Sequence, residues 1–234
     1  MSLIPLLLLA DSRLPGGMHA HSGGLEAAVA AGRVYDAESL RAFLLGRLTS
    51  VGLTCAAFAA AAALELSGGV VVGEDGFQSR EAAALDEEYD ARTPSARQRE
   101  TSRALGRHLL RAVRAGWPSV LLDAVAALHP DGPHQPIAFG AAAAVAGLDP
   151  GGTSSAAALG SITGPAHAAT RLLGLDPDSV TAVLASLAGQ VEQVAAAAAK
   201  AARGPVEELP AVCAPLLSIS AEHRRTWEVR LFAS

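Results

Sequence analysis

Apolar residues recur at three- and four-residue steps along most of this chain, the period of helices with one buried face. After Asp36, a residue type that caps helix N-termini, the run "AESLRAFLLGRLTSVGL" places Leu40, Phe43, Leu44, Leu48 and Val51 on one such face. Thr93-Pro94 joins an N-cap residue to the proline favoured at the first helical position, predicting a helix that runs through about Ala115 and closes before Gly116. Asp176-Pro177 repeats the device and predicts a helix to about Arg203, stopped by Gly204-Pro205. Between them "PSVLLDAVAAL", "PIAFGAAAAVAG" and "SSAAALGSITGPAHAATRLLG" read as further helices punctuated by Pro and Gly. "GGVVVG", residues 68–73, is the one stretch with strand character, and one strand makes no sheet. The expectation is an all-α, single-domain helical bundle spanning 1–234, of roughly eight to ten helices with short loops and no repeats.

Composition strengthens the helical reading. Half of the 234 residues are apolar but only 4% are aromatic, and alanine and leucine carry the apolar share. Both favour helix over strand. The net charge of -5 argues against a general nucleic-acid binder, which needs a basic surface to displace phosphate counterions. Cys55 and Cys213 have no CxxC spacing, so they predict neither a disulfide framework nor a structural zinc module and read as small buried hydrophobes. The N-terminal "LIPLLLLA" has no preceding Lys or Arg and is too short to span a bilayer. The alanine tracts at 56–63 and 195–199 lie close to Glu, Gln or Lys and read as packed helices of a cytoplasmic protein.

The candidate chemistry is sparse. A phosphate loop needs a lysine for the outer phosphates, but the single lysine, Lys200, follows no such loop. In "GSITG", residues 160–164, the serine sits second rather than third and follows no strand, unlike a nucleophile elbow. His19-Ala20-His21, in the Gly-rich stretch "DSRLPGGMHAHSGGLEAAVAAG", offers two imidazoles to a borderline metal but no third ligand, so solvated loop side chains are the plainer reading. His129 and His134, bracketing "PDGP", make a weaker case. Arg99, Arg103, Arg107 and Arg111 sweep an arc of about 120° on one side of a helix. Like charges at that spacing call for acidic neighbours, and Asp86, Glu87, Glu88 and Asp90 lie just upstream. An internal charge network and a partner surface both fit the arc, with nucleic acid a third choice.

Four blocks, spread in order over nearly the whole chain, carry a resemblance. Pro15, Gly17, Ser22, Gly24, Leu25 and Glu26 match the N-terminal signature of the urease accessory protein UreF family without a gap. "LDEEYDARTPSARQRETSRALGRHLL" resembles that family's acidic-then-basic segment, with its S-R-x-x-G-R core at Ser102, Arg103, Gly106 and Arg107. "HQPIAFG" and the terminal "VRLFAS" resemble two further family segments. The chain departs from the pattern at His19, where the family has an aromatic residue, at Gly16, which replaces an apolar one, and at Arg224, Arg225 and Glu228, where H-E-x-x-Y is usual. The pattern is that of a diverged branch.

The resemblance implies a helical, non-enzymatic protein that works as a homodimer. It would dock between the scaffold UreD (also called UreH), the nickel-carrying GTPase UreG and apo-urease, so that nickel is delivered when GTP is hydrolysed. Carried onto this chain, the implied partner-binding residues are Pro15, Gly17, His19, His21, Ser22, Gly24, Glu26, Arg103, Arg107, Arg230 and Phe232, with no catalytic residue, metal ligand, cofactor, nucleic acid or membrane implied. The residues alone reach a helical interaction protein. A small helical enzyme of unknown chemistry and a nucleic-acid-binding regulator using the arginine arc are the rival classes.

Overall fold

Alanine dictates the centre of this fold. In a computed structural model that describes residues 3–11, 14, 21–68, 72–73, 76–77, 80–223 and 231–232, every residue from Ala56 to Ala63 is buried. They belong to α4 (Leu53–Ser67), a helix covered on all sides by α8 (Gln135–Val145), α9 (Pro150–Leu173) and α11 (Ala188–Ala201). With methyl groups as the contact surface, the backbones can approach more closely than leucine would permit. The limit is reached at Gly140 on α8. A Cβ there would lie 2.5 Å from the Ala59 carbonyl oxygen and 2.6 Å from the Ala62 Cβ, so only glycine fits the crossing. Phe58 stands within the alanine tract, and Leu40, Leu44, Leu85, Leu110, Leu122, Ile137 and Ile162 are fully enclosed with it in the same contiguous core.

The remaining helices are α1 (Leu3–Ala10), α2 (Leu25–Ala30), α3 (Ala37–Arg47), α5 (Arg80–Ala91), α6 (Ala96–Gly116), α7 (Val120–Ala126), α10 (Pro177–Ser186) and α12 (Pro215–His223). The all-α expectation holds. There are twelve α-helical segments among the described residues rather than eight to ten, because several are too short to be stable on propensity alone and form through tertiary packing. A π-helical turn, Leu48–Gly52, joins α3 to α4 in one 31-residue rod. At this turn the Thr49 and Ser50 hydroxyls donate to the Leu45 and Gly46 carbonyls at 3.0 and 2.6 Å, in competition with the backbone ladder. The rod is long and apolar enough to cross a membrane, but its alanine half is buried inside the bundle.

Capping residues behave as their chemistry requires, with one shift. Asp36 forms a capping box with Ser39, and Asp176 accepts from Ser179 N. For α6 the cap is Ser95 rather than Thr93: the Ser95 hydroxyl accepts from Gln98 N, while Thr93 turns back to the Tyr89 carbonyl and closes α5. The helix expected from Asp176 to Arg203 breaks at Leu187 into α10 and α11, bent by 48°. The stretch with strand character ends in a two-residue strand, β1 (Val72–Gly73), which pairs antiparallel with β2 (Gly76–Phe77) just beyond it.

Gly140→Ala is expected to cost about 1–3 kcal/mol by overpacking the α4–α8 crossing. Gly46→Ala, at an exposed helical position with open space around it, should instead stabilise by up to about 1 kcal/mol. Urea denaturation of the two variants checks both the sign and the contrast.

Candidate functional site

Segments from the two ends of the chain meet at one place. Gly23 and Gly24 adopt left-handed φ values of 60° and 91°, a pair of conformations that L side chains rarely take. The turn they make leads into α2, where the Ser22 carbonyl accepts from Leu25 N at 3.1 Å and the Ser22 hydroxyl accepts from Glu26 N at 3.4 Å. Arg47 secures the turn from the rod, donating from Nη1 to the Gly23 carbonyl and from Nε to the Ser161 carbonyl, each at 2.8 Å. On the opposite side Leu217 of α12 approaches Gly24 so closely that a Cβ there would meet its Cδ2 at 2.7 Å. The buried Glu26 carboxylate accepts from Leu231 N at 2.8 Å, and the Arg171 guanidinium lies 5.3 Å from the centroid of the buried Phe232 ring.

The helix before the tail is held mainly by polar contacts. None of the α12 side chains is buried. Glu222 accepts from the Ser95 hydroxyl at 2.6 Å and from Arg97 N at 2.9 Å, so a carboxylate from α12 caps the N-terminus of α6. Ser218 donates to Gln98 at 3.0 Å, and Arg33 donates to Ser220 at 3.3 Å. None of these contacts was readable in the sequence, because each joins polar residues of ordinary type across a long separation.

A second polar assembly explains the S-R-x-x-G-R core. All four of its named residues address the loop between α7 and α8. The Ser102 hydroxyl accepts from Gln135 N at 3.1 Å, and Arg103 donates to the Gly132 carbonyl at 3.0 Å. Gly106 lies where any Cβ would overlap the Pro133 carbonyl oxygen, and Arg107 donates to the Asp131 carbonyl. Arg103 also pairs with Asp86 at 2.8 Å and with Asp90 at 2.9 Å. Asp86 and Asp90 in turn hold His134, the first through its backbone N–H at 2.7 Å and the second through Nε2 at 2.9 Å. Burial keeps the His134 imidazole below its ordinary 6.5, against the opposing pull of the Asp86 and Asp90 carboxylates. The ring is therefore neutral at pH 7, with Nε2–H donating to Asp90. Partial burial pushes Asp90 up, but hydrogen bonds from His134 and Arg103 bring it below its ordinary 3.8.

These placements sort the expected contact residues. Of the two readings open for the arginine arc, Arg103 belongs to the internal network. Arg99 donates to the Thr93 carbonyl and pairs with Asp90, and Arg107, although exposed, is tied to the loop. Ser22, Glu26 and Phe232 are buried and hold the end-to-end junction in place. Gly24 shapes the turn, and His21 is half-buried beside it. Pro15, Gly17, His19 and Arg230 lie outside the described residues. His129 accepts from Asp131 N within the loop, and among the described residues no three His, Cys, Asp or Glu side chains converge as a metal site. Cys55 contacts the Tyr89 hydroxyl at 3.0 Å, and burial pushes both groups up, which keeps the thiol protonated and unreactive. Ser161 of "GSITG" is a mid-helix residue of α9, not a turn nucleophile.

Related sequences give the family. A family model described as UreF matches residues 34–188. The urease accessory protein UreF of Mycobacterium sp. (strain JLS) is 43% identical over 233 residues, covering 100% of this chain and 99% of that protein. The chain belongs to the UreF family. The urease accessory protein UreF of Mycolicibacterium vanbaalenii is 42% identical over the same length. That of Mycobacterium tuberculosis (strain H37Rv) is 41% identical over 194 residues, 83% of this chain and 84% of the relative. Both the Gly-Gly turn and the S-R-x-x-G-R clamp thus sit in a chain whose UreF likeness extends from end to end.

Arg103→Met would leave the buried Asp86 carboxylate without its cation, and is expected to cost about 3–5 kcal/mol, measured by urea denaturation at pH 7. Acid should act on the same cluster through His134. Unfolded chains bind a proton near 6.5 while the buried ring does not, so the stability contributed by the neutral ring is present above that value and is lost as pH falls through it. The urea midpoint should therefore drop between pH 7 and 5.5, and His134→Gln should flatten that slope. An unchanged slope in the variant would reject this role for His134.

Proposed function

We propose that this chain is a non-catalytic chaperone of urease maturation that recruits and regulates the nickel-carrying GTPase UreG and docks, as a homodimer, on the scaffold UreD/UreH for nickel insertion into apo-urease in the cytoplasm. The observation that carries the reading is the hydrogen bond from Leu231 N to Glu26. It joins the two terminal segments that carry family motifs, so residues 205 positions apart in sequence support one patch. Exposed apolar residues accompany that patch. Leu3, Ile4, Leu7 and Leu8 on α1, and Leu216 and Ile219 on α12, present side chains to solvent in the way protein-contact surfaces do. The loop clamp supports the reading indirectly, since Arg103 and Arg107 are spent on internal contacts, which weakens the case for nucleic acid. The chain also offers no lysine-bearing phosphate loop, which fits a protein that acts on a GTPase rather than as one.

Pull-down of the GTPase with scaffold-bound protein, paired with thermal melts, tests this reading. Arg230→Ala is expected to reduce recruitment while leaving the melting temperature close to wild type, because an arginine fork onto carboxylates or carbonyls has no substitute in alanine. His19→Ala should act in the same direction, less strongly. Phe232→Ala should lower both recruitment and stability, the latter by about 3–5 kcal/mol if its buried site cannot collapse. Recruitment that is unchanged by Arg230→Ala, or that merely follows melting temperature across the set, would reject a recognition role for the tail. The isolated chain should not hydrolyse GTP, and sedimentation of the scaffold-bound form should show two copies.

A further inference from the structure

A cavity of about 700 Å³ lies between the rod, α6, α9 and α12, bordered by the Gly23–Gly24 turn. That is the size of a small-molecule site. Its walls are mainly apolar, with Val51, Leu105, Leu109, Phe139 and Leu217 among the lining side chains. The charge along the lining runs opposite to that of the whole protein. The chain carries a net charge of -5, yet the cavity is lined by Arg47, Arg92, Arg97 and Arg171 and, among the described residues, by one carboxylate, Asp11. Arg92 is neutralised by Glu88 and Arg97 by Glu100.

Arg47 is different. It forms no ion pair with any carboxylate among the described residues. Two of its nitrogens are taken by the Gly23 and Ser161 carbonyls, and Nη2 has no hydrogen-bond partner among the described residues. Arg47 is half-buried, and a partly desolvated cation without a counter-charge gains from an anion that reaches it. Burial lowers its proton affinity, but an arginine guanidinium so lowered stays charged at neutral pH. One open nitrogen suits a monoanion. The apolar side chains beside it suit a monoanion that carries a hydrocarbon chain.

We propose that this cavity binds a small amphiphilic carboxylate of medium chain length, with its hydrocarbon against Val51, Leu105, Leu109 and Phe139 and its carboxylate on Arg47. The site stands independently of any partner the protein engages.

Titration calorimetry of the full chain with decanoate, decanol and decylammonium tests the proposal. Decanoate should bind saturably at one site, decanol should bind about tenfold more weakly or worse for want of the charge-assisted hydrogen bond, and decylammonium should not bind. Arg47→Met should abolish the preference for decanoate over decanol. Ala157→Trp, which puts a bulky side chain into the cavity from α9 and leaves the Arg47 hydrogen bonds intact, should abolish binding of both. If Arg47→Met fails to fold, the head-group series and Ala157→Trp decide the matter. Absence of saturable decanoate binding, equal affinity for decanol or decylammonium, or binding undiminished in Ala157→Trp would overturn the proposal.

Discussion

The close crossing of α4 and α8 at Gly140 is the constraint on which the rest of the bundle depends. Alanine supplies little hydrophobic area per residue, so an alanine-rich core gains enough only if its helices approach until backbone meets side chain. That approach is what brings α9 and α11 onto the remaining faces of α4 and leaves no room there for functional chemistry. Polar and conformationally special residues are displaced to the rim, where the loop clamp, the Gly-Gly turn and the C-terminal segment are found.

The rim is stabilised differently from the centre. The α7–α8 loop carries exposed carbonyls into a partly buried position, and Ser102, Arg103 and Arg107 satisfy three of its backbone groups from a single helix. Asp86 and Asp90 then compensate Arg103, and His134 closes the set as a neutral ring. Such a network specifies one arrangement of α5, α6 and α8, since any slip leaves a buried charge unpaired. At the other edge, α12 rests on single hydrogen bonds and a carboxylate cap with no buried side chain of its own. Its attachment is therefore weaker than that of the clamp.

Helical content, the caps at Asp36 and Asp176, the buried alanine face and the likeness to the UreF family were all legible from the residues alone, because periodicity, capping chemistry and motif order are local properties of a chain. The break at Leu187 and the shift of the α6 cap from Thr93 to Ser95 were not. Both depend on which neighbour a residue meets, Glu222 in the case of Ser95. Arg103 and Arg107 show the limit most clearly. Their spacing revealed an arc and its acidic counterparts upstream, but an arc has the same spacing whether it faces solvent or a loop. Only the folded arrangement put the Asp131–Gln135 backbone against it and turned Arg103 inward. The meeting of Glu26 with Leu231, and of Arg47 with a cavity where it pairs with no carboxylate among the described residues, likewise arises where segments remote in sequence converge, which no local pattern encodes.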